Sequence, residues 1–412
     1  MKSFHTPDYA LYIPETLRFH LTSGCLPIPH VTRERSHSMT ERERYLETLL
    51  FGTPDRIPFE PGQPRESTLK AWNAQGLSGG ADWNAAVREI IGIEPLPLIE
   101  KVPVTAKQEM IPAFEETVIE ERERTLVVQD WKGNICEISK EFDVTYLRLP
   151  KDFVTRRWIR CPVENREDWE AMKARYNPDD PGRIPPNIEE LGKTLASRAY
   201  VTGLNFNGPF WQLREWLGFE NLCMMFIDNP EFVRDMTAFW MEYVARLMER
   251  VLPHVDVDYV HISEDMAYKG KSMISPAMTR EFLMPSYILW NEIIRSHGCP
   301  LFMMDSDGYI GELIPIWIES GINECDPIEA AALNDIAGYR KMYGRKIAFS
   351  GGVDKRAIAK GGSVIRREME RLEPVIRSGG YIPGCDHGIP SDVGWREFIE
   401  YCDILARMTG WK

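Results

Sequence analysis

The sequence predicts an α/β chain folded as a (β/α)8 TIM barrel, with an N-terminal extension over residues 1–38 and a β-hairpin insertion at about 115–160. Three observations point to this fold. From Ala199 onward, short apolar strands alternate with long helices, the pattern of parallel strands joined by crossover helices. Beyond residue 39 the 412-residue chain shows no further shift in composition, so one large core is expected rather than two. Polar and titratable residues also recur just after each apolar run, where parallel barrels carry their chemistry.

The elements follow in order. Residues 1–38 are rich in Pro, His, Thr and Ser with weak periodicity, and no chemistry is assigned to them. Thr40 followed by Glu41 to Leu50 predicts a capped amphipathic helix. Gly52-Thr53-Pro54-Asp55 is a turn, and Arg56-Ile57-Pro58-Phe59 is the first strand of the barrel 39–412. Thr117 to Ile138 is rich in β-branched residues around a Lys132-Gly133-Asn134 turn, which reads as an antiparallel hairpin. Such a hairpin is foreign to a βα repeat, so it is expected to cover the barrel as decoration, substrate lid or oligomer contact. A helix is expected from Val163 to Tyr176. Strands then fall at 199–204, 258–263, 300–305, 322–326 and 346–351. The helices between and after them span 209–228, 230–252, 276–297, 309–320, 334–343 and 363–378.

Composition narrows the partners. A net charge of −13 lacks the basic footprint that a nucleic-acid backbone requires. Arg122/Arg124 and Arg156/Arg157/Arg160 are therefore read as solvated faces. No apolar run approaches the roughly 20 residues that span a bilayer, so no membrane partner is expected. The first residues lack the pattern of a signal peptide, and eight scattered cysteines without a CxxC fit a reducing compartment. The expected location is cytoplasmic, with most thiols buried as small hydrophobes.

At the strand ends stand Asn205 and Asn207; His261, Ser263, Glu264 and Asp265; Asp305, Ser306 and Asp307; Glu324, Cys325 and Asp326; Ser350 and Asp354; and Cys385, Asp386 and His387. Capping of the following helices accounts for residues such as Ser263 or Asp326. It accounts less well for acids clustered with Cys and His, because like charges in one cleft repel unless a cation or proton relieves them. An acidic functional mouth is the stronger reading.

Four stretches carry a resemblance: HISEDMAYKGKSMISPAMTREFLMPSYI (261–288), FMMDSDG (302–308), FSGGVDK (349–355) and GGYIPGCDHGIPSDV (379–393). Together with the opening MTERERYLETLLFGTPDRIPF (39–59), they resemble the uroporphyrinogen-decarboxylase-like superfamily over roughly residues 39–410. The resemblance implies a TIM barrel, often a homodimer, and one of two chemistries. These are decarboxylation of porphyrinogen acetates and methyl transfer involving corrinoid proteins.

Decarboxylases of this superfamily carry a Met-Arg-Gln-Ala-Gly-Arg segment whose arginines hold substrate carboxylates. Here the segment reads EPGQPRES (60–67), in which only Arg65 can stand in. The pyrrole-binding aspartate has no clear match in IGIEPLPLIE (91–100). His387 does match the His-Gly-Ile end motif. The methyltransferase branch binds zinc through a His-x-Cys pair and a Cys roughly eighty residues on. At those positions this chain has Asp305-Ser306-Asp307-Gly308 and either Cys385 or His387. The resemblance thus implies a metal, Zn, on Asp305, Asp307 and His387 or Cys385, with Glu264 nearby. The alternative is a metal-free pocket in which the acids bond substrate or backbone.

Arg65, Asn207, Trp211, His261 and Glu264 are the expected substrate-binding residues. Phe210, Trp211 and Trp216 form either an aromatic wall or core packing. The function implied first is methyl transfer in a corrinoid-dependent system, for example O-demethylation. The small-molecule substrate is bound here and the corrinoid rides on a partner protein. Asp305, Asp307 and His387 are the expected catalytic residues, with His387 as proton donor or the metal as Lewis acid. The alternatives are porphyrinogen-type decarboxylation without a cofactor and a non-catalytic tetrapyrrole or corrinoid binder.

Overall fold

Thr40 begins the helix Glu41–Leu49 as its sequence predicts: the Thr40 side chain accepts the Glu43 amide, and the Glu43 carboxylate accepts the Thr40 amide. The computed structural model describes residues 38–412 apart from 98, 149–151 and 153. All but the last residue of the expected extension therefore lies outside the described residues, as does Cys25. Arg56–Phe59, expected as the first strand, carries no ladder; Pro58 has no N–H to give one. Pairing starts farther on. Pro61 accepts the Cys385 amide, Ile389 donates to Gln63 and Arg65 donates to Ile389, around a parallel bridge between Pro64 and Ile389.

The insertion is larger than a hairpin. It is a four-stranded antiparallel sheet in sequence order, β1 (Thr117–Glu121), β2 (Thr125–Gln129), β3 (Ile135–Ser139) and β4 (Arg156–Arg160). The Lys132-Gly133-Asn134 turn joins β2 to β3, and the Asp130 carboxylate accepts the Lys132 and Asn134 amides. Val128, Cys136 and Ile138 form its own small core. β1 is exposed along its length.

The second half of the chain supplies six parallel strands: β5 (Gly203–Asn207), β6 (Tyr259–Ser263), β7 (Leu301–Asp305), β8 (Glu324–Asp326), β9 (Ala348–Val353) and β10 (Tyr381–Cys385). Each pairs with the next in sequence, so the order never reverses. A doubly wound sheet reverses at a switch point, whereas an unreversed parallel order with helical crossovers is compatible with a TIM-barrel-like fold.

Helices fill the crossovers with some departures from expectation. The helix expected at 209–228 is two, Pro209–Leu217 and Phe219–Asp228, because Gly218 takes φ 79° and ψ 156° between them. The helix at 276–297 contains a π-turn at Thr279–Leu283. An additional helix, Lys355–Lys360, starts where the Asp354 carboxylate accepts the Arg356 amide. No helix among the described residues is long and apolar enough to cross a membrane. The seven described cysteines are free thiols, all buried except the half-buried Cys223.

Strand alternation sends Val260, Ile262, Phe302, Met304, Cys325 and Phe349 into the large core shared with the helices. The opposite face packs Leu301, Met303, Ala348 and Ile382 against Leu49, with Tyr45, Leu46 and Tyr259 at the edge. Further along the strands this same face becomes polar.

Candidate functional site

Ladder register arranges the polar face in rows. Asn205, His261, Met303 and Glu324 stand opposite one another across β5 to β8; two residues on, so do Asn207, Ser263, Asp305 and Asp326. His261 Nε2 lies 3.3 and 3.4 Å from the two carboxylate oxygens of Asp326. Burial opposes a charged His261, but Asp326, helped by Asp305 and Glu324, outweighs it and carries the imidazole pKa to about 9. Burial first, and then Asp326, push Asp305 up to about 8. The same two causes push Glu324 well above the usual carboxylate range.

Above these rows lies the mouth. Asp265, Asp305 and Asp307 each offer one oxygen, and those oxygens lie within 4.8 Å of one another. Asp265 reaches this position with φ 43°, a left-handed conformation that Asp tolerates better than most residues. Its carboxylate accepts the Asp307 amide at 3.3 Å and stands 3.8 Å from Arg214. The Ser306 hydroxyl accepts the Met266 amide, tying the β6 and β7 loops together. Gly308 closes the β7 loop at φ 84°, where a Cβ would come within 2.4 Å of the Ala267 carbonyl oxygen.

His387 Nε2 stands 3.1 Å from Asp307 Oδ2, and its Nδ1 accepts the Gly388 amide at 2.6 Å. This assigns the proton to Nε2, facing Asp307. Asp307 holds the His387 pKa above its ordinary value. Burial works against ionised Asp307, yet His387, Lys355 and Arg65 together take its pKa below the usual value.

The remaining sequence-predicted residues fall in different places. Arg65 begins the helix Glu66–Asn73, and its side chain passes over Gly388 beside the Asp307–His387 pair. Glu264 is fully buried. It accepts the Trp211 amide at 2.9 Å and the Tyr287 hydroxyl, so it serves the N-terminus of helix Pro209–Leu217. Asn207 and Trp211 line a separate cavity of about 160 Å³ with Trp131 and Tyr176; the Asn207 side chain donates to Gln212. Phe210 and Trp216 are core. Cys385 is a buried thiol with its pKa driven to about 12, chiefly by burial, and its side chain packs at Gly62. It lies outside the group formed by Asp265, Asp305 and Asp307.

Sequence reasoning chose Glu264 over Asp265 and passed over Glu324 and Asp326 as site residues. A signal was present in the period-two spacing of His261/Ser263 and Glu324/Asp326, which puts each pair on one strand face. The donor set at the mouth fits a metal that accepts oxygen ligands: three carboxylates converge, and His387 hydrogen-bonds one of them. Asp265, Asp305 and Asp307 would hold such an ion, with His387 orienting Asp307.

No protein-family model matches the chain, and no curated protein sequence matches it. Among solved structures, it is similar in fold to a methyltransferase from Methanosarcina mazei, with a TM-score of 0.54 at 13% identity, covering 90% of this chain and 99% of that chain. A B12-independent methionine synthase from Shewanella sp. W3-18-1, in complex with selenomethionine, is similar over 55% of this chain and 69% of that chain, with a TM-score of 0.35 at 9% identity. That second likeness is too partial to argue from.

Proposed function

We propose that the chain is a methyltransferase of a corrinoid-dependent system, acting at the mouth of a closed (β/α)8 barrel. In this reading the first two staves are 57–64, bonded to the end of β10, and 99–108, whose Gln108 side chain accepts the Asn207 amide of β5. The observation that carries the reading is the convergence of Asp265, Asp305 and Asp307, with His387 bonded to Asp307, at the C-terminal ends of parallel strands. The fold shared with the Methanosarcina mazei methyltransferase supports it, as does the motif resemblance.

Removing a methyl group from an ether or amine requires the heteroatom to accept the electron pair of the broken bond. Asp265, Asp305 and Asp307 would hold a metal, zinc in this reading, which would supply Lewis acidity at that heteroatom. His387 acts in its charged form, which Asp307 favours: the imidazolium gives a proton to the departing heteroatom and returns to the neutral imidazole whose Nδ1 accepts the Gly388 amide. The acceptor is a corrinoid on a separate protein, and the enzyme works as a cytoplasmic homodimer.

The decisive experiment combines metal analysis with a transfer assay. Untagged protein prepared with zinc is expected to carry one ion per chain, and Asp305→Asn/Asp307→Asn is expected to lose it. Methoxyarenes and methylamines are then offered with cob(I)alamin. No bound metal combined with no methyl transfer overturns the reading. Arg65 beside His387 favours a second reading, cofactor-free decarboxylation of a porphyrinogen, in which the guanidinium pairs with a substrate carboxylate. Carbon dioxide release from uroporphyrinogen tests it, and no release removes it.

A further inference from the structure

The insertion presents two sheet edges of opposite charge. Among the described residues its strands pair in the order β1-β2-β3-β4, so β1 and β4 each keep one side unpaired. The backbone groups of 117–121 and 156–160 bond nothing described beyond their own ladders. The unpaired side of a strand is a row of N–H and C=O groups open to another strand. β1 reads Thr-Val-Ile-Glu-Glu, with acids and no base, whereas β4 reads Arg-Arg-Trp-Ile-Arg, with bases and no acid. Each edge also holds apolar side chains in solvent: Val118 and Ile119 are 54% and 53% exposed, Trp158 and Ile159 38% and 49%.

Both edges are irregular at these residues. The ladder of β1 with β2 skips Ile119, and the ladder of β3 with β4 skips Ile159. Bulges and edge charges hinder the addition of one sheet to another, and here the charges act against like edges. β1 against β1 sets glutamates together, and β4 against β4 sets arginines together. Unlike edges escape that penalty. An antiparallel alignment with Ile119 opposite Trp158 puts Val118 opposite Ile159, Glu120 opposite Arg157 and Glu121 opposite Arg156. Within the chain, Arg122 and Lys140 pair with Glu120 and Glu121, and Glu137 and Glu164 pair with Arg157 and Arg160; each pair has an exposed member. Such surface pairs contribute little, so exchanging them for partners across an interface costs little.

We infer that the insertion is an assembly surface: β1 of one copy adds to β4 of a second copy of this chain, continuing the antiparallel sheet from one molecule into the next. A second copy is the fitting occupant because the complement of each edge, in charge and in apolar content, is the other edge of the same sheet. Two copies that use both contacts close as a dimer, and a single contact leaves edges for a further copy. The inference concerns assembly and stands apart from the methyl-transfer chemistry at the mouth.

Sedimentation velocity of the full chain across a range of concentrations tests it, with Glu120→Arg/Glu121→Arg and Arg157→Glu/Arg160→Glu as charge-reversal variants. These four side chains are exposed, and circular dichroism checks the fold; where a double variant does not fold, Glu121→Arg or Arg157→Glu alone takes its place. The wild type is expected to associate, more weakly in high salt. Each variant is expected to dissociate at concentrations about tenfold higher or more. An equimolar mixture of the two variants is expected to regain association, because each basic edge of the first meets an acidic edge of the second. A wild type that stays monomeric, association that survives both reversals, or a mixture that fails to recover overturns the inference. A dimer untouched by the reversals would remove this interface and leave the homodimer of the methyltransferase reading standing.

Discussion

At the scale of single residues, Glu215 shows how a charge is kept inside. It is almost wholly buried and paired at 2.6 Å with Lys132, which comes from the turn between β2 and β3. Burial alone would raise its pKa, but Lys132, aided by Arg156 and Arg214, brings it below the ordinary carboxylate value. Replacing Lys132 by Met leaves an unpaired buried carboxylate and is expected to cost about 3–5 kcal/mol in urea unfolding. A folded-state pKa that is depressed gives stability above the unfolded value, about 4.3, and loses it as pH falls through the folded value. The gap between wild type and Lys132→Met should therefore be full at neutral pH and shrink in acid. A gap that grows in acid would contradict the pairing.

The same scale shows how much of the site could be read from the sequence. Asp305 and Asp307 end an apolar strand, and that position alone marks them. Glu264 and Asp265 are neighbours with nearly identical local signals, yet one turns inward to serve helix Pro209–Leu217 and the other reaches the mouth. The difference lies in the φ of 43° at Asp265, which depends on contacts with the β7 loop.

At the scale of elements, Gly218 separates two helices that hydrophobic periodicity reads as one. Its φ of 79° with ψ of 156° suits glycine alone, and an added Cβ would meet the Cys161 sulfur at 3.0 Å. Gly218→Ala is expected to destabilise the protein by about 1–3 kcal/mol, read as a lower midpoint in urea. An unchanged midpoint would mean that the break is not needed. Periodicity continues through Gly218 because both helices bury apolar residues, Leu213 and Leu217 before it and Leu222 and Phe226 after. In the insertion, the turn chemistry around Gly133 made β2 and β3 legible. β4, with three arginines among its five residues and its partner far back in the chain, had no comparable local mark.

At the scale of the whole molecule, the first and last parts of the described body hold each other. Ile57 donates to Thr409 and accepts from the Trp411 indole; Tyr401 donates to Pro61; and the Trp72 indole donates to Val393. Trp72 is fully buried and stacks on Phe398 at 4.6 Å between ring centroids. Trp72→Ala removes the ring and its bond and is expected to cost about 3–5 kcal/mol, with fluorescence and circular dichroism losing signal together. Separate transitions for the two probes would show that this clasp does not couple the ends to the sheet.

The sequence by itself determined the alternation of strands and helices, the capped first helix, the β2–β3 turn and the acidic strand ends. Each of these rests on interactions among residues a few positions apart, where period, capping and turn chemistry act. Only the tertiary structure decided that Asp265 joins Asp305 and Asp307, that His387 bonds Asp307 from 80 residues away, and that Cys385 faces the core. It also set Glu60 and Asp326 on the wall of one cavity. Those relations depend on strand register and on which loops pack together, and both are set by contacts between segments far apart in the chain.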